Sequence, residues 1–108
     1  MVSVIISKQA ADIKQISLDG HAGSEEAGQN IVCAAVSVLA INTFNSIERF
    51  TDDAFSVEAA EDGGHLVMSF SEKLSDRAQL LIDSMLLGLG EIQKQYGDEY
   101  ISLEIKEV

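Results

Sequence analysis

The sequence predicts an α+β fold: a two-layer domain with a mostly antiparallel sheet and two helices on one face, in the order β-β-α-β-β-α-β. Three observations carry this expectation. Two long segments repeat apolar residues every three or four positions, short β-branched or alternating segments surround them, and none of the 108 residues is proline. Nothing marks a linker, an internal repeat or a low-complexity tract, so residues 1–108 read as one domain.

Val2 to Ser7, VSVIIS, is a β-branched run suited to a first strand, with Lys8, Gln9 and Ala10 in the turn that follows. Asp12 to Asp19 places Ile13, Ile16 and Leu18 among polar residues and reads as a second strand whose register stays open. From Ile31 to about Glu48 the residues Ile31, Val32, Ala35, Val36, Leu39, Ala40, Thr43 and Ile47 recur at helical intervals. Asn30 is the expected N-cap, accepting from the amide of Val32 or Cys33. Phe55–Ala60 and His65–Phe70 flank a turn containing Asp62-Gly63-Gly64, a hairpin signal. A second helix is expected over Asp76–Tyr96, capped by Ser75 and stopped by Gly97, with Leu80, Leu81, Met85, Leu89 and Ile92 as its apolar set. Gly88 and Gly90 inside it cost roughly 1 kcal/mol each against alanine, which points to close packing. Tyr100 to Lys106 alternates and closes the chain as a last strand.

Eighteen acidic against seven basic residues give a formal charge of −11, and the basic residues are scattered singly. Direct binding to nucleic acid would begin with repulsion, whereas a basic protein partner would be attracted; solubility alone is the plainer account of the same charge. The N-terminus has no basic flank before its apolar run, and no apolar run reads as membrane-spanning, so neither signal peptide nor membrane association is expected. A lone cysteine cannot form an internal disulfide and fits a reducing cytosol. One cysteine and two histidines without close ligand spacing build no zinc site, and phosphate-loop, G-x-S-x-G and dinucleotide patterns are missing, so no metal or cofactor is expected.

Chemistry concentrates in Gly20 to Ser37, GHAGSEEAGQNIVCAAVS. With Asn30 as N-cap, Cys33 occupies the third helical position, where unpaired amides and the helix dipole favour thiolate over thiol. His21, directly after a predicted strand, can act as base once the intervening loop folds back. On residue chemistry alone the plainer reading of IVCAAV is core packing, since cysteine outside disulfides is among the most buried residue types, and a single cysteine with two histidines is weak evidence for a catalytic pair. Gly20, Gly23 and Gly28 suit a flap over an extended substrate, or merely turns with positive φ. Ser37, one helical turn after Cys33, either donates into the site or bonds back to the Cys33 carbonyl. His65 reads as a strand-end surface histidine.

With these residues laid out, GHAG at 20–23 and NIVCAAVS at 30–37 closely resemble the ribosomal-processing cysteine protease family known as Prp, across the whole chain. The resemblance implies a cysteine protease domain with Cys33 as nucleophile, His21 as base, and Gly20 and Ser37 supporting the site. It implies a mobile loop corresponding to Ala22 through Gln29, including Gly23 and Gly28, and a homodimer. It further implies a substrate: the short N-terminal extension of a basic large-subunit ribosomal protein, the bacterial bL-series protein number 27, removed in the cytoplasm during ribosome assembly in bacteria such as the Firmicutes. Asn30 departs from the family pattern, which has an aspartate there; asparagine keeps a helix cap and loses a charge that could orient the imidazolium. The acidic residues Asp19, Glu25 and Glu26 would attract the basic substrate. Two rival expectations are a non-catalytic, acidic ribosome-assembly adaptor with Cys33 inert in the core, and another thiol-dependent acyl transferase or hydrolase.

Overall fold

The structure, a computed structural model, describes residues 1–20, 27–60 and 64–108, with the backbone alone at 27–30. Seven elements follow in the expected order: β1 (Val2–Gln9), β2 (Asp12–Asp19), α1 (Ala27–Phe50), β3 (Ser56–Ala59), β4 (His65–Ser69), α2 (Asp76–Tyr96) and β5 (Ile101–Glu107). The strands form one sheet in the order β3-β4-β2-β1-β5, antiparallel throughout except for the parallel β1–β5 pair. That exception follows from α2, which carries the chain from β4 back across the sheet, as a parallel partner requires.

Alternation sets the faces. Val2, Val4 and Ile6 of β1 and Ile16 and Leu18 of β2 point into the core, while Ser3, Ser7, Ser17 and Asp19 point to the open face. Ile13 and Ile16 are both buried although three positions apart, which breaks a strict period of two. The register explains it: Ser7 pairs with Gln15 but Lys8 pairs with Ile13, so Lys14 is an extra residue in β2. Its carbonyl accepts from the Phe70 amide at 2.9 Å, tying the irregularity to the end of β4.

Helix α1 contributes Val32, Val36, Ala40, Thr43, Phe44 and Ile47 to the core, and α2 contributes Ala78, Ile82, Met85 and Leu89. Thr43 is a polar residue in this layer, and its hydroxyl donates to the Leu39 carbonyl at 2.7 Å. Two expectations about these helices need correction. Ile31 of α1 and Leu80 of α2 belong to the exposed sides of their helices, 51 and 68 % accessible, because each stands nearly half a turn away from the buried stripe. And Ile31–Phe50, with mean hydropathy 1.5, is long and apolar enough to cross a membrane by length and composition, contrary to the sequence reading. Its interspersed Asn, Ser and Thr mask a run of which about a third is buried in the core.

The two helices meet where a Cβ on Gly88 would lie 2.7 Å from Leu39 Cδ2, so this glycine admits the neighbouring side chain. Gly90 has nothing within 4 Å of the same position. Helix α1 ends where the Thr51 amide and hydroxyl both donate to the Ile47 carbonyl, at 3.1 and 2.7 Å. Helix α2 begins at Ser75, whose Oγ accepts from the Ala78 amide at 3.1 Å and donates to Asp53 Oδ1 at 2.5 Å. The Ser75 amide donates to Asp53 Oδ2 at 2.8 Å, so one carboxylate joins the exit of α1 to the entry of α2. The Ser75 hydroxyl and then its amide hold the Asp53 carboxyl below its ordinary value.

Two outcomes follow from these contacts. Gly90→Ala should raise unfolding stability by about 1 kcal/mol in urea titration, the helix-propensity gain, whereas Gly88→Ala should fail to show that gain because Leu39 must move. Asp53→Ala should lower Tm at neutral pH. Because the folded carboxyl titrates below its unfolded value, its contribution is complete above about pH 4 and lost as pH falls through the folded value. The Tm gap between variant and wild type should therefore close in strong acid; a gap independent of pH would contradict this assignment.

Candidate active site

Cys33 is the only cysteine of the chain and lies on α1, partly buried and packed against the core cluster. Its neighbours along the helix fix its direction. Val32 and Val36 are buried, and Leu39, which meets Gly88 of α2, stands about 120° around the helix from Cys33. Helix α2 also contacts β5 at one end of the sheet. The thiol-bearing flank of α1 therefore looks away from α2, toward the half of the sheet that holds β2 and β4. Ser37 is exposed one turn further along.

The start of α1 changes the local chemistry. The helix begins at Ala27 rather than Ile31, so Asn30 is its fourth residue and not its N-cap. Gly28 and Gln29 lie in the first turn instead of the loop. Cys33 becomes the seventh helical residue, almost two turns in, where an α-helical amide is directed to the carbonyl four residues earlier. Amides without an acceptor inside the helix belong to its first turn, ahead of Asn30, and the dipole's influence fades within that turn. The helix N-terminus therefore acts on this position less than the sequence suggested.

His21, Ala22, Gly23, Glu25 and Glu26 lie outside the described residues. The strand end that leads to them is well defined. Gly20 donates its amide to the Gly64 carbonyl at 2.9 Å. A Cβ added to Gly20 would lie 2.9 Å from Val2 Cγ2 and 3.0 Å from Val2 Cα. Its φ is not in the positive range, so glycine is required here by the close approach to β1 rather than by a turn. Immediately before it, Asp19 is in register with His65 of β4, and His65 Nδ1 contacts Asp19 Oδ1. His65 is thus a strand-end residue as expected, but a paired one. No local pattern predicts that contact, because the partners are 46 residues apart.

Two depressions formed by described residues lie away from the thiol. A shallow apolar one of about 510 Å³ runs along Ala34, Ala35, Val38, Leu39 and Asn42, on the flank of α1 turned toward α2. An acidic one of about 550 Å³ collects Glu48, Asp52 and Asp53 beside Phe55 and Val57, some four turns down α1 from Cys33. Phe55 also packs on Phe70, with ring centroids 6.2 Å apart.

A family model described as cysteine protease Prp matches residues 1–102. Among curated proteins, the ribosomal processing cysteine protease Prp of Staphylococcus aureus strain Mu50 is 31 % identical over 107 residues, covering 98 % of this chain and all of the relative. The protein of the same description from Bacillus subtilis strain 168 is 32 % identical over 90 residues, 80 % of each chain. The fold agrees as well. The crystal structure of the S. aureus protease in complex with a substrate peptide superposes with a TM-score of 0.89 at 30 % identity, covering 98 % of this chain and 100 % of that one. The S. aureus protease with a covalently linked product peptide gives a TM-score of 0.86 at 31 % identity, over the same shares. With a family model and relatives matching over nearly its whole length, the chain belongs to the cysteine protease Prp family.

Proposed function

We propose that this cysteine protease removes the short N-terminal extension of a basic large-subunit ribosomal protein, the bacterial bL-series protein number 27, in the cytoplasm during ribosome assembly, with Cys33 as nucleophile and His21 as base. The observation that carries this reading is the full-length likeness to an S. aureus protease that holds a covalently linked product peptide. In this chain a covalent acyl link through sulfur has one cysteine available, Cys33, and it is only partly buried. That partial burial argues against an adaptor in which the thiol is inert core.

The reaction divides into two displacements. His21 takes the proton of Cys33, and the sulfur attacks the peptide carbonyl carbon, forming the C–S bond while the carbonyl electrons move to oxygen. Collapse breaks the C–N bond, and the protonated His21 returns its proton to the leaving amine. His21 then deprotonates a water that attacks the thioester, releasing the carboxylic acid and the thiol. Backbone amides of the first turn of α1 are the proposed donors to the oxyanion. Gly20 supports the site by letting β2 close against β1 before His21, and Ser37 by presenting a hydroxyl one turn from the sulfur.

The charge of −11 supports attraction of a basic precursor, with Glu25 and Glu26 as the nearest unassigned acids in sequence. Asp19, also acidic, has its carboxylate engaged by His65. Self-association of the enzyme as a homodimer is part of the same proposal. Val38 and Ile41 on α1 and Leu80 and Leu87 on α2 are 70, 51, 68 and 68 % exposed on the side of the helix layer away from the sheet. Four large apolar side chains on one such layer suit a second copy of the chain.

Incubation with the precursor ribosomal protein should yield one cut at the extension junction. Cys33→Ala should abolish it, and His21→Ala should lower kcat by on the order of 10²–10⁴-fold. Equal cleavage by wild type and Cys33→Ala would refute the assignment. In light scattering, wild type should run as a dimer and Val38→Glu/Leu87→Glu as a folded monomer; an unchanged mass would remove the helix layer as the interface.

A further inference from the structure

The side-chain pair between Asp19 and His65 sits at a place where stability does not explain it. Both groups are about half exposed, 50 and 45 % respectively, and half-exposed ion pairs add little to folding. Their location is more informative. Asp19↔His65 is the terminal paired rung between β2 and β4, and the next residue, Gly20, adds a main-chain bond to Gly64. On the other side Gly20 lies against Val2 with no room for a Cβ. The strand exit is therefore held from three directions: by side chains at Asp19, by a backbone bond at Gly20, and by contact with β1. Covalently, one residue separates Asp19 from His21, so their Cα atoms are at most about 7 Å apart.

No directly paired position in this row carries a charge among the described residues; the nearest carboxylate on the same face is diagonal, Glu58 of β3, which pairs with Val67 two positions from His65. Across β1 the partner of Asp19 is Ser3, and beyond that Ser102 of β5. On the far side of His65 the Ala60 amide donates to its carbonyl. The imidazole and carboxylate are thus matched to each other within the row.

We infer that Asp19 and His65 are positioning residues for the proposed base: their contact clamps the β2–β4 rung and fixes the direction in which the chain leaves the sheet before His21. The inference rests on the His21–Cys33 reading and adds to it a pair on the open face of the sheet. The carboxylate accepts an N–H from His65 and takes no part in the bond changes. Its loss leaves the strands paired but frees the last rung, and a displaced base fails at proton transfer before it fails at substrate binding.

The test uses Asp19→Asn, His65→Gln, their double variant and His21→Ala in the full chain. Three readouts are taken: cleavage of a peptide spanning the extension junction, the rate of Cys33 alkylation by iodoacetamide at pH 6, and Tm. Each single variant should lose kcat on the order of tenfold with KM within about twofold, and the double variant should lose no more than the worse single one. Alkylation should slow in both variants, though less than in His21→Ala, since a misplaced imidazole supports less thiolate. Tm should stay within about 3 °C of wild type. Should His21→Ala lose cleavage and thiol reactivity while Asp19→Asn and His65→Gln retain both, the clamp is overturned and the dyad stands. A loss in the variants that appears only with a large fall in Tm, or only in KM, overturns it as well. If His21→Ala itself retains both activities, the dyad fails and the clamp with it.

Discussion

Helix α1 can be turned about its axis in only one way, and the site depends on that restriction. Val32, Val36, Ala40, Thr43, Phe44 and Ile47 must face the sheet, while Leu39 must meet the gap left by Gly88 on α2. Full burial of each large aliphatic or aromatic side chain in that set contributes roughly 1.5–3 kcal/mol, so a rotation of even one residue's width would expose more than the helix can compensate. Cys33 inherits its direction from these neighbours. It reaches the margin of the buried stripe, on the flank turned from α2, packed against the core. The position of the sulfur along the sheet is fixed by packing that has no chemical function.

The remaining degree of freedom is translation along the helix axis, and the far end of α1 controls it. Thr51 closes the last turn on the Ile47 carbonyl, and Asp53 binds the amide and hydroxyl of Ser75. Through that carboxylate the end of one helix and the start of the other are a single hydrogen-bonded joint. A shift of α1 would have to break it or carry α2 along, and α2 is itself seated by Ala78, Ile82, Met85 and Leu89. The end that carries Cys33 can therefore be built with small residues such as Ala34 and Ala35, which contribute little to holding the helix. Rigidity is supplied more than four turns from Cys33, just beyond the end of α1 at Asp53.

Where the sequence could be read, the signal was local. Ser75 and Gly97 bracket α2 with a side-chain cap and a positive-φ glycine, and both ends of that helix fall where those residues place them. Asp12–Asp19 was legible as a strand, but its open register was a real feature: Ile13 and Ile16 reconcile only through the extra residue Lys14. The start of α1 was misplaced by four residues because Gly28 and Asn30 are poor helix formers with strong turn associations, and tertiary context extends the helix through them. Gly20 looked like a turn residue, yet its constraint comes from Val2, eighteen positions earlier in the chain. The Asp19–His65 contact depends on the β2–β4 register, which no window of sequence contains. The candidate nucleophile was legible from its motif, whereas its support was not, because support is made of long-range pairings.

Moving the helix start to Ala27 also changes what Asn30 means. As an N-cap it would accept a backbone amide, and asparagine serves there nearly as well as aspartate. Inside the first turn that equivalence fails. An acid near a helix N-terminus is stabilised by the dipole, and it adds a negative charge one turn before Cys33; asparagine does neither. A negative charge there would hold an imidazolium but oppose a thiolate, so its removal acts on the two halves of the proposed pair in opposite directions. In the proposed reaction the helix dipole, weak at the seventh residue, does little for Cys33, so proton transfer rests chiefly on His21 and on how well that base is placed. That leaves placement of the base, set at the exit of β2, as the property on which this variant of the site relies most.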